Sequence, residues 1–196
     1  MITICDFEDS FTYNLFSDLT TDFETKVLPF NKIKSFLKSK VYSTKKEVII
    51  LGPGPGHPDE YSFIDSEIKQ ILKNKNILLV GICLGHQLIW KHLGVKTIKS
   101  KNPVHGQIEQ LNNLQNFFNQ KNYTKSLSVQ RYNSLCIELT DSLTQEYADS
   151  GWKLILKNNE LYASFKNNIV TYQFHPESIG TSCRKQYYGP VYQFLL

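Results

Sequence analysis

No C-x-x-C pair occurs anywhere in the sequence. Its four cysteines, Cys5, Cys83, Cys136 and Cys183, lie far apart. That spacing excludes the usual zinc and dithiol motifs, and no metal or cofactor is expected. No apolar run approaches the roughly 18 residues of a membrane span, so no membrane partner is expected either. The N-terminal MITICDFEDS has no basic stretch ahead of an apolar one, so it does not read as a secretory signal. Basic stripes interleaved with aromatics are missing as well. The net charge is only +4 and its lysines are scattered, which argues against nucleic acid. Repeats, low-complexity tracts and linkers are absent, and the 196 residues read as a single domain, 1–196. Free thiols in such a chain suit a reducing, cytoplasmic setting.

What the sequence does contain is a series of short apolar runs alternating with helical patterns. Met1 to Cys5, Lys26 to Leu28, Glu47 to Leu51 (EVIIL) and Ile77 to Ile82 read as strands. Between them, Asp9 or Ser10 is placed to cap a helix through Leu19, and Ile33 to Leu37 looks helical. Phe63 to Leu72 carries Ile64, Ile68, Ile71 and Leu72 at helical spacing, and His86 to Leu93 follows as the next helix. Continuously apolar strands separated by helices imply a parallel sheet covered on both faces. After Gly94 the segments are shorter and alternate: Leu127 to Gln130, Leu154 to Leu156, Tyr162 to Phe165 and Ile169 to Phe174. They predict a mixed or antiparallel part. The fold class is α/β.

Chemistry enters at ILLVGICLGHQ. An apolar strand stops at Cys83, with Gly81 two places before it and Gly85 two places after, and a helix begins at once. Ligands of open α/β sheets bind beyond the carboxyl ends of the strands, and Cys83 sits at such an end. A turn tight enough to lift one side chain there leaves no room for side chains at 81 and 85. The pattern matches the G-x-S-x-G nucleophile elbow with cysteine in the serine place. The helix dipole and the free N–H groups of its first turn favour a thiolate at that point. A buried structural cysteine is the ordinary alternative, but it does not explain the paired glycines.

A nucleophilic cysteine needs a base, and the base needs an orienting group. Of the five histidines, His57 and His105 fall in loops, His92 on a helix, and His86 beside the cysteine with its direction open. His175 stands at the end of an apolar strand in TYQFHPES, where Pro176 blocks continuation. Glu177 lies two residues on, a spacing that in extended chain puts both side chains on one side. The loop GPGPGHP, Gly52 to Pro58, follows another predicted parallel strand. It should open at the same sheet edge and offer backbone N–H groups to an oxyanion, with the N–H of Leu84 as second donor.

GPGPG, GICLGHQ, RYNSL and FHPES, in this order, resemble the motifs of the class I (triad) glutamine amidotransferases. DFEDSFTYNL and the VHG at Val104 to Gly106 narrow the likeness to the small subunits of anthranilate synthase and aminodeoxychorismate synthase. The resemblance covers nearly the whole chain. It implies a flavodoxin-like, open and mostly parallel sheet flanked by helices, with a smaller antiparallel part. It implies Cys83 as nucleophile, His175 as base and Glu177 as its orienter. Gly54 and Leu84 would form the oxyanion hole. Gly54, Pro55, Gly56, Leu84, Gln87, Ser134 and Leu135 would hold L-glutamine. The implied partner is a larger chorismate-binding synthase that consumes the ammonia, meeting this chain at the DSFTYNL segment and the VHG loop. Two positions depart from the pattern: Phe7 stands where the relatives have Asn, and Asn133 where they have His. A free-standing cysteine-dependent γ-glutamyl or amide hydrolase, and a non-catalytic regulatory subunit, are the alternative readings.

Overall fold

A computed structural model describes residues 1–112 and 126–196. In chain order the elements begin with β1 (Ile2–Cys5), α1 (Thr12–Thr20), β2 (Thr25–Leu28), α2 (Ile33–Lys40) and β3 (Glu47–Leu51). There follow α3 (Asp65–Ile71), β4 (Ile77–Ile82), α4 (Leu84–His92), β5 (Thr97–Lys99), β6 (Gln107–Asn112), β7 (Ser126–Arg131) and β8 (Leu135–Ile137). The last part holds α5 (Asp141–Asp149), β9 (Lys153–Lys157), β10 (Glu160–Lys166), β11 (Ile169–Tyr172), α6 (Arg184–Tyr187) and α7 (Gly189–Leu195).

Among the described residues the main sheet has seven strands in the order β2-β1-β3-β4-β11-β10-β9. The first five run parallel, and β10 pairs antiparallel with both β11 and β9. The chain therefore reverses its direction of sheet growth at β1, as an open doubly wound fold does. Two small antiparallel pairs, β5-β8 and β6-β7, lie outside this sheet. The segments after Gly94 thus divide: some form the small pairs, and β9 to β11 complete the main sheet.

The apolar strands are explained by burial on both faces. Leu78, Val80 and Ile82 of β4 point to one core, shared with Leu15 and Leu19 of α1 and Val191 of α7. Ile77 and Leu79 point to the other, shared with Leu37 of α2, Ile68 of α3 and Leu88 of α4. Each buried aliphatic side chain contributes about 1.5–3 kcal/mol relative to exposure, so no polar residue is tolerated in this run.

Some local expectations differ. The first helix is not capped by Asp9 or Ser10; its N-cap is Phe11, which makes no side-chain cap. Asp9 instead accepts from the Phe11 N–H at 2.8 Å, and Asp6 accepts from Thr12 Oγ1 at 2.8 Å, so the acidic side chains order the approach to the helix. The helix foreseen from Phe63 begins at Asp65, because Pro58–Ile64 forms a 3-10 segment capped by His57. The strand foreseen through Phe174 ends at Tyr172, where Gln173 turns its N–H to the Tyr162 carbonyl at 2.9 Å.

Candidate active site

The carboxyl ends of β3, β4 and β11 meet at one edge of the sheet. Cys83 falls between the last residue of β4 and the first of α4, at φ 52° and ψ −100°. A non-glycine residue rarely adopts this backbone, and such strain is held only where the surroundings enforce it. Here they do. A Cβ added to Gly81 would lie 2.5 Å from the Gly85 carbonyl oxygen, and one added to Gly85 would lie 2.0 Å from the Leu51 carbonyl oxygen. The two glycines let helix, turn and neighbouring strand touch through their backbones, and the thiol is left partly exposed at the top.

His175 arrives because of strand register. β11 pairs in parallel with β4, with Tyr172 opposite Ile82, so the residues after both strands leave the sheet side by side. The Cys83 N–H donates to the Tyr172 carbonyl at 2.8 Å, and the His175 N–H donates to the Gln130 carbonyl at 3.0 Å. Nδ1 of His175 lies 2.7 Å from Glu177 Oε1. The pair is not formed in extended chain, as the spacing had suggested. His175 to Ser178 is a turn, closed by the Ser178 N–H on the His175 carbonyl at 3.2 Å, and the turn folds the carboxylate back on the ring.

A carboxylate only accepts, so the bond to Glu177 puts a proton on Nδ1 and leaves Nε2 as the nitrogen free to meet Cys83, with which the ring interacts. Nε2 is buried and has no partner at hydrogen-bonding geometry. Burial disfavours a charged ring, but the Glu177 carboxylate and contact with Cys83 outweigh it and hold the His175 pKa well above the ordinary range. Phe11 and Tyr132 wall the ring at centroid distances of 4.9 Å and 5.2 Å. The other histidines lie elsewhere. His86 is buried with Nδ1 2.8 Å from Thr171 Oγ1, and burial pushes its pKa down to about 3. His92 meets Asp65 at 3.0 Å, His57 caps the 3-10 segment, and His105 is exposed in a bend.

Beside the thiol is a cavity of about 190 Å³, lined by Gly54, Pro55, Gly56, Cys83, Leu84, Gln87, Tyr132, Asn133, Ser134 and Leu135. All the positions expected to hold substrate are therefore brought together with the thiol. The Leu84 N–H, in the first turn of α4, has no intrahelical acceptor. A Cβ on Gly54 would come within 2.6 Å of both Leu84 Cδ2 and Phe7 Cβ, so the GPGPG loop is pressed onto the helix start. Phe7 is buried and packs edge-on against Tyr61 at 5.2 Å, while Tyr61 Oη donates to the Pro55 carbonyl at 2.8 Å. The departure at position 7 thus becomes an aromatic floor beneath the loop. A larger cavity, about 500 Å³, lies near Val41–Thr44 at the opposite sheet edge, and no cysteine, histidine or carboxylate lines it.

The opposite wall rests on a buried cation. Arg131, 1% exposed, donates from Nε to Asn133 Oδ1 at 2.9 Å and from Nη2 to Glu160 at 3.1 Å. Asn133 Nδ2 in turn donates to the Leu135 carbonyl at 2.9 Å. Gln87 Nε2 donates to that same carbonyl at 3.1 Å and to Gln173 Oε1 at 3.1 Å. Gln173 Nε2 sits 3.8 Å from Cys83 Sγ. Sequence reasoning missed Tyr132 and Gln173. Tyr132 adjoins Asn133 and Ser134 inside RYNSL, so the motif held a signal; Gln173 is placed by the β11–β4 register, which leaves no local pattern.

Fold and site together define an α/β protein with a cysteine elbow over a small, amino-acid-sized cavity. The model of the glutamine amidotransferase class-I family matches residues 3–190, and the chain belongs to this family. It is 33% identical over 193 residues to anthranilate synthase component 2 of Cyanophora paradoxa, covering 95% of each chain. It is 30% identical to aminodeoxychorismate synthase component 2 of Escherichia coli K12, covering 91% of this chain and 92% of that one. Among solved structures, a glutamine amidotransferase from Thermotoga maritima aligns with a TM-score of 0.62 at 18% identity, over 98% of this chain and 81% of that chain. A Thermoplasma acidophilum structure aligns at 0.75 with 22% identity, covering 98% and 92%. These two structural likenesses speak to the fold alone. No helix among the described residues is long and apolar enough to cross a membrane.

Proposed function

We propose that the chain, acting as one domain, hydrolyses L-glutamine through Cys83, His175 and Glu177 and passes the ammonia to a larger chorismate-using synthase subunit. The observation that carries this reading is a strained, partly exposed thiol facing a carboxylate-held imidazole, at the mouth of a cavity of about 190 Å³. Sγ attacks the side-chain amide carbon of glutamine, and the N–H groups of Gly54 and Leu84 receive the developing oxyanion. The C–N bond breaks as His175 Nε2 gives its proton to the leaving ammonia. Water then attacks the γ-glutamyl thioester and gives one proton to His175; the C–S bond breaks, glutamate departs and releases the second proton to solvent, and sulfur and ring are left as they began. Glu177 keeps the ring in the required tautomer throughout. Gly56, Pro55, Gln87, Ser134 and Leu135 enclose the amino-acid end.

The family and the surface both support this partner. The relatives named above are component 2 proteins of two synthases. Tyr13, Ile108 and Ile179 are 66%, 57% and 95% exposed, and Ile108 Cδ1 lies 3.1 Å from where a Cβ on Gly180, the neighbour of Ile179, would stand. Tyr13 lies two residues past Phe11, which packs on His175, and Ile179 lies two residues past Glu177. Large apolar side chains grouped at a reactive centre suit a face that another protein covers. Four free thiols support a cytoplasmic setting. The test is reconstitution with an anthranilate-type or aminodeoxychorismate-type large subunit, chorismate and a nitrogen source. Cys83→Ala should abolish aromatic amine formation from glutamine and leave formation from ammonia intact. Glutamine use that survives in Cys83→Ala overturns the mechanism.

A further inference from the structure

We propose that Gln173 is a positioning residue for the nucleophile, its side-chain amide donating an N–H to the Cys83 sulfur in an orientation that Gln87 fixes. The inference rests on reading Cys83 as the reactive group. It starts from the donors and acceptors of two amides.

The two ends of a glutamine amide have the same shape, so their surroundings must decide which end is nitrogen. The Leu135 carbonyl can only accept. The Gln87 atom 3.1 Å from it is therefore nitrogen. That same nitrogen lies 3.1 Å from the Gln173 side chain, so the facing Gln173 atom is its oxygen. The remaining end of Gln173, 3.8 Å from Sγ, is then the NH₂ group, at a distance within the longer reach of a sulfur acceptor. Gln173 has little freedom to turn away. It is buried, and its backbone N–H is held by the Tyr162 carbonyl at 2.9 Å.

An N–H donor aimed at sulfur favours the anion over the neutral thiol, and it also restricts rotation of the Cys83 side chain. The donor works beside His175, from a different side chain and without a proton to lose. The chain Leu135 carbonyl, Gln87, Gln173, Cys83 further joins one wall of the cavity to the sulfur. Gln87 thereby acts twice, lining the cavity and setting the polarity of its neighbour.

The test is the pH profile of Cys83 alkylation by iodoacetamide, read by peptide mass spectrometry, with exposed Cys183 in the same sample as internal reference. Gln173→Glu keeps the shape and replaces the donor with an acceptor. Gln173→Met keeps most of the volume and removes both. At neutral pH the Cys83 rate should fall about tenfold in Gln173→Met, the scale of one hydrogen bond to a charged group, and further in Gln173→Glu. Both profiles should move to higher pH, while Cys183 stays unchanged. Gln87→Met should shift the Cys83 profile in the same direction, and adding it to Gln173→Met should cost little more. An unmoved Cys83 profile in either Gln173 variant, with wild-type Cys183 reactivity and circular dichroism, overturns the proposal. The reagent needs no glutamine, so the two readings separate. A wild-type protein inactive on glutamine whose Gln173 variants shift the profile sinks the activity and keeps this assignment; an active protein with an unmoved profile does the reverse.

Discussion

His86 and His175 occupy two regions on either side of the same strand end, and both rings are buried. One lies beneath α4 against Thr171 of β11; the other lies in the turn that follows β11. Their acid–base behaviour is opposite. His86 has a hydroxyl partner and no nearby carboxylate holding it, and burial pushes its pKa down to about 3. His175 is desolvated too, but Glu177 and Cys83 lift its pKa well above the usual value. Burial alone therefore makes a histidine inert at neutral pH. A carboxylate 2.7 Å from one nitrogen, together with the Cys83 contact, reverses that and keeps the proton on the ring.

The sharpest way to break this contrast is to remove the carboxylate. Glu177→Gln keeps the shape and loses the charge, and a side-chain amide can present the wrong end to Nδ1. Glutamine hydrolysis should fall by about 10²–10⁴-fold in steady-state assays, within the range seen when a triad's orienting acid is neutralised. A drop of only a few fold would mean that His175 does not depend on Glu177. His86→Gln is the mirror experiment. It retains a polar group for Thr171, and turnover should stay within a few fold of wild type.

A smaller effect separates the same two rings by stability. The folded-state pKa of His86 is depressed, so between pH 6.5 and about 3 the unfolded chain binds a proton that the folded chain refuses. Stability is complete above pH 6.5 and falls on acidification by about 1.4 kcal/mol per pH unit, or about 2 kcal/mol by pH 5. His175 has the opposite sign. Its contribution is complete below its unfolded value and is lost as pH rises through its raised folded value, so it adds no slope on the acid side. Urea unfolding of wild type and His86→Gln at pH 7 and pH 5 checks this: the variant should lose less stability over that interval. Equal losses would show that His86 is not the source.

Much of this arrangement was legible in the residues. EVIIL and ILLVGI could be read as strands because a sheet covered on both faces favours nearly continuous apolar runs, with Glu47 at the start of the first, and both strands have the expected bounds. Gly81 and Gly85 announced close backbone contact because no other residue relieves it, and added Cβ atoms do collide there. The fold of the glutamine amidotransferase class-I family was foreseen from four short motifs. Less legible were features decided by chain direction after a strand. The His175–Glu177 pair forms in a turn, since Ser178 bonds back to His175. Asp6 and Asp9 spend their oxygens before α1 begins and leave it uncapped. Gln173 meets Cys83 only through the pairing of Tyr172 with Ile82, a contact between residues 90 positions apart. No local pattern records such a register.

The most direct measurement is covalent capture by a glutamine-mimicking electrophile, with peptide mapping of all four cysteines in wild type and in His175→Asn. The account predicts stoichiometric labelling of Cys83 in wild type, none at Cys5, Cys136 or Cys183, and a label that largely disappears in His175→Asn. Labelling at another cysteine, or capture at Cys83 that proceeds equally well without His175, would contradict it.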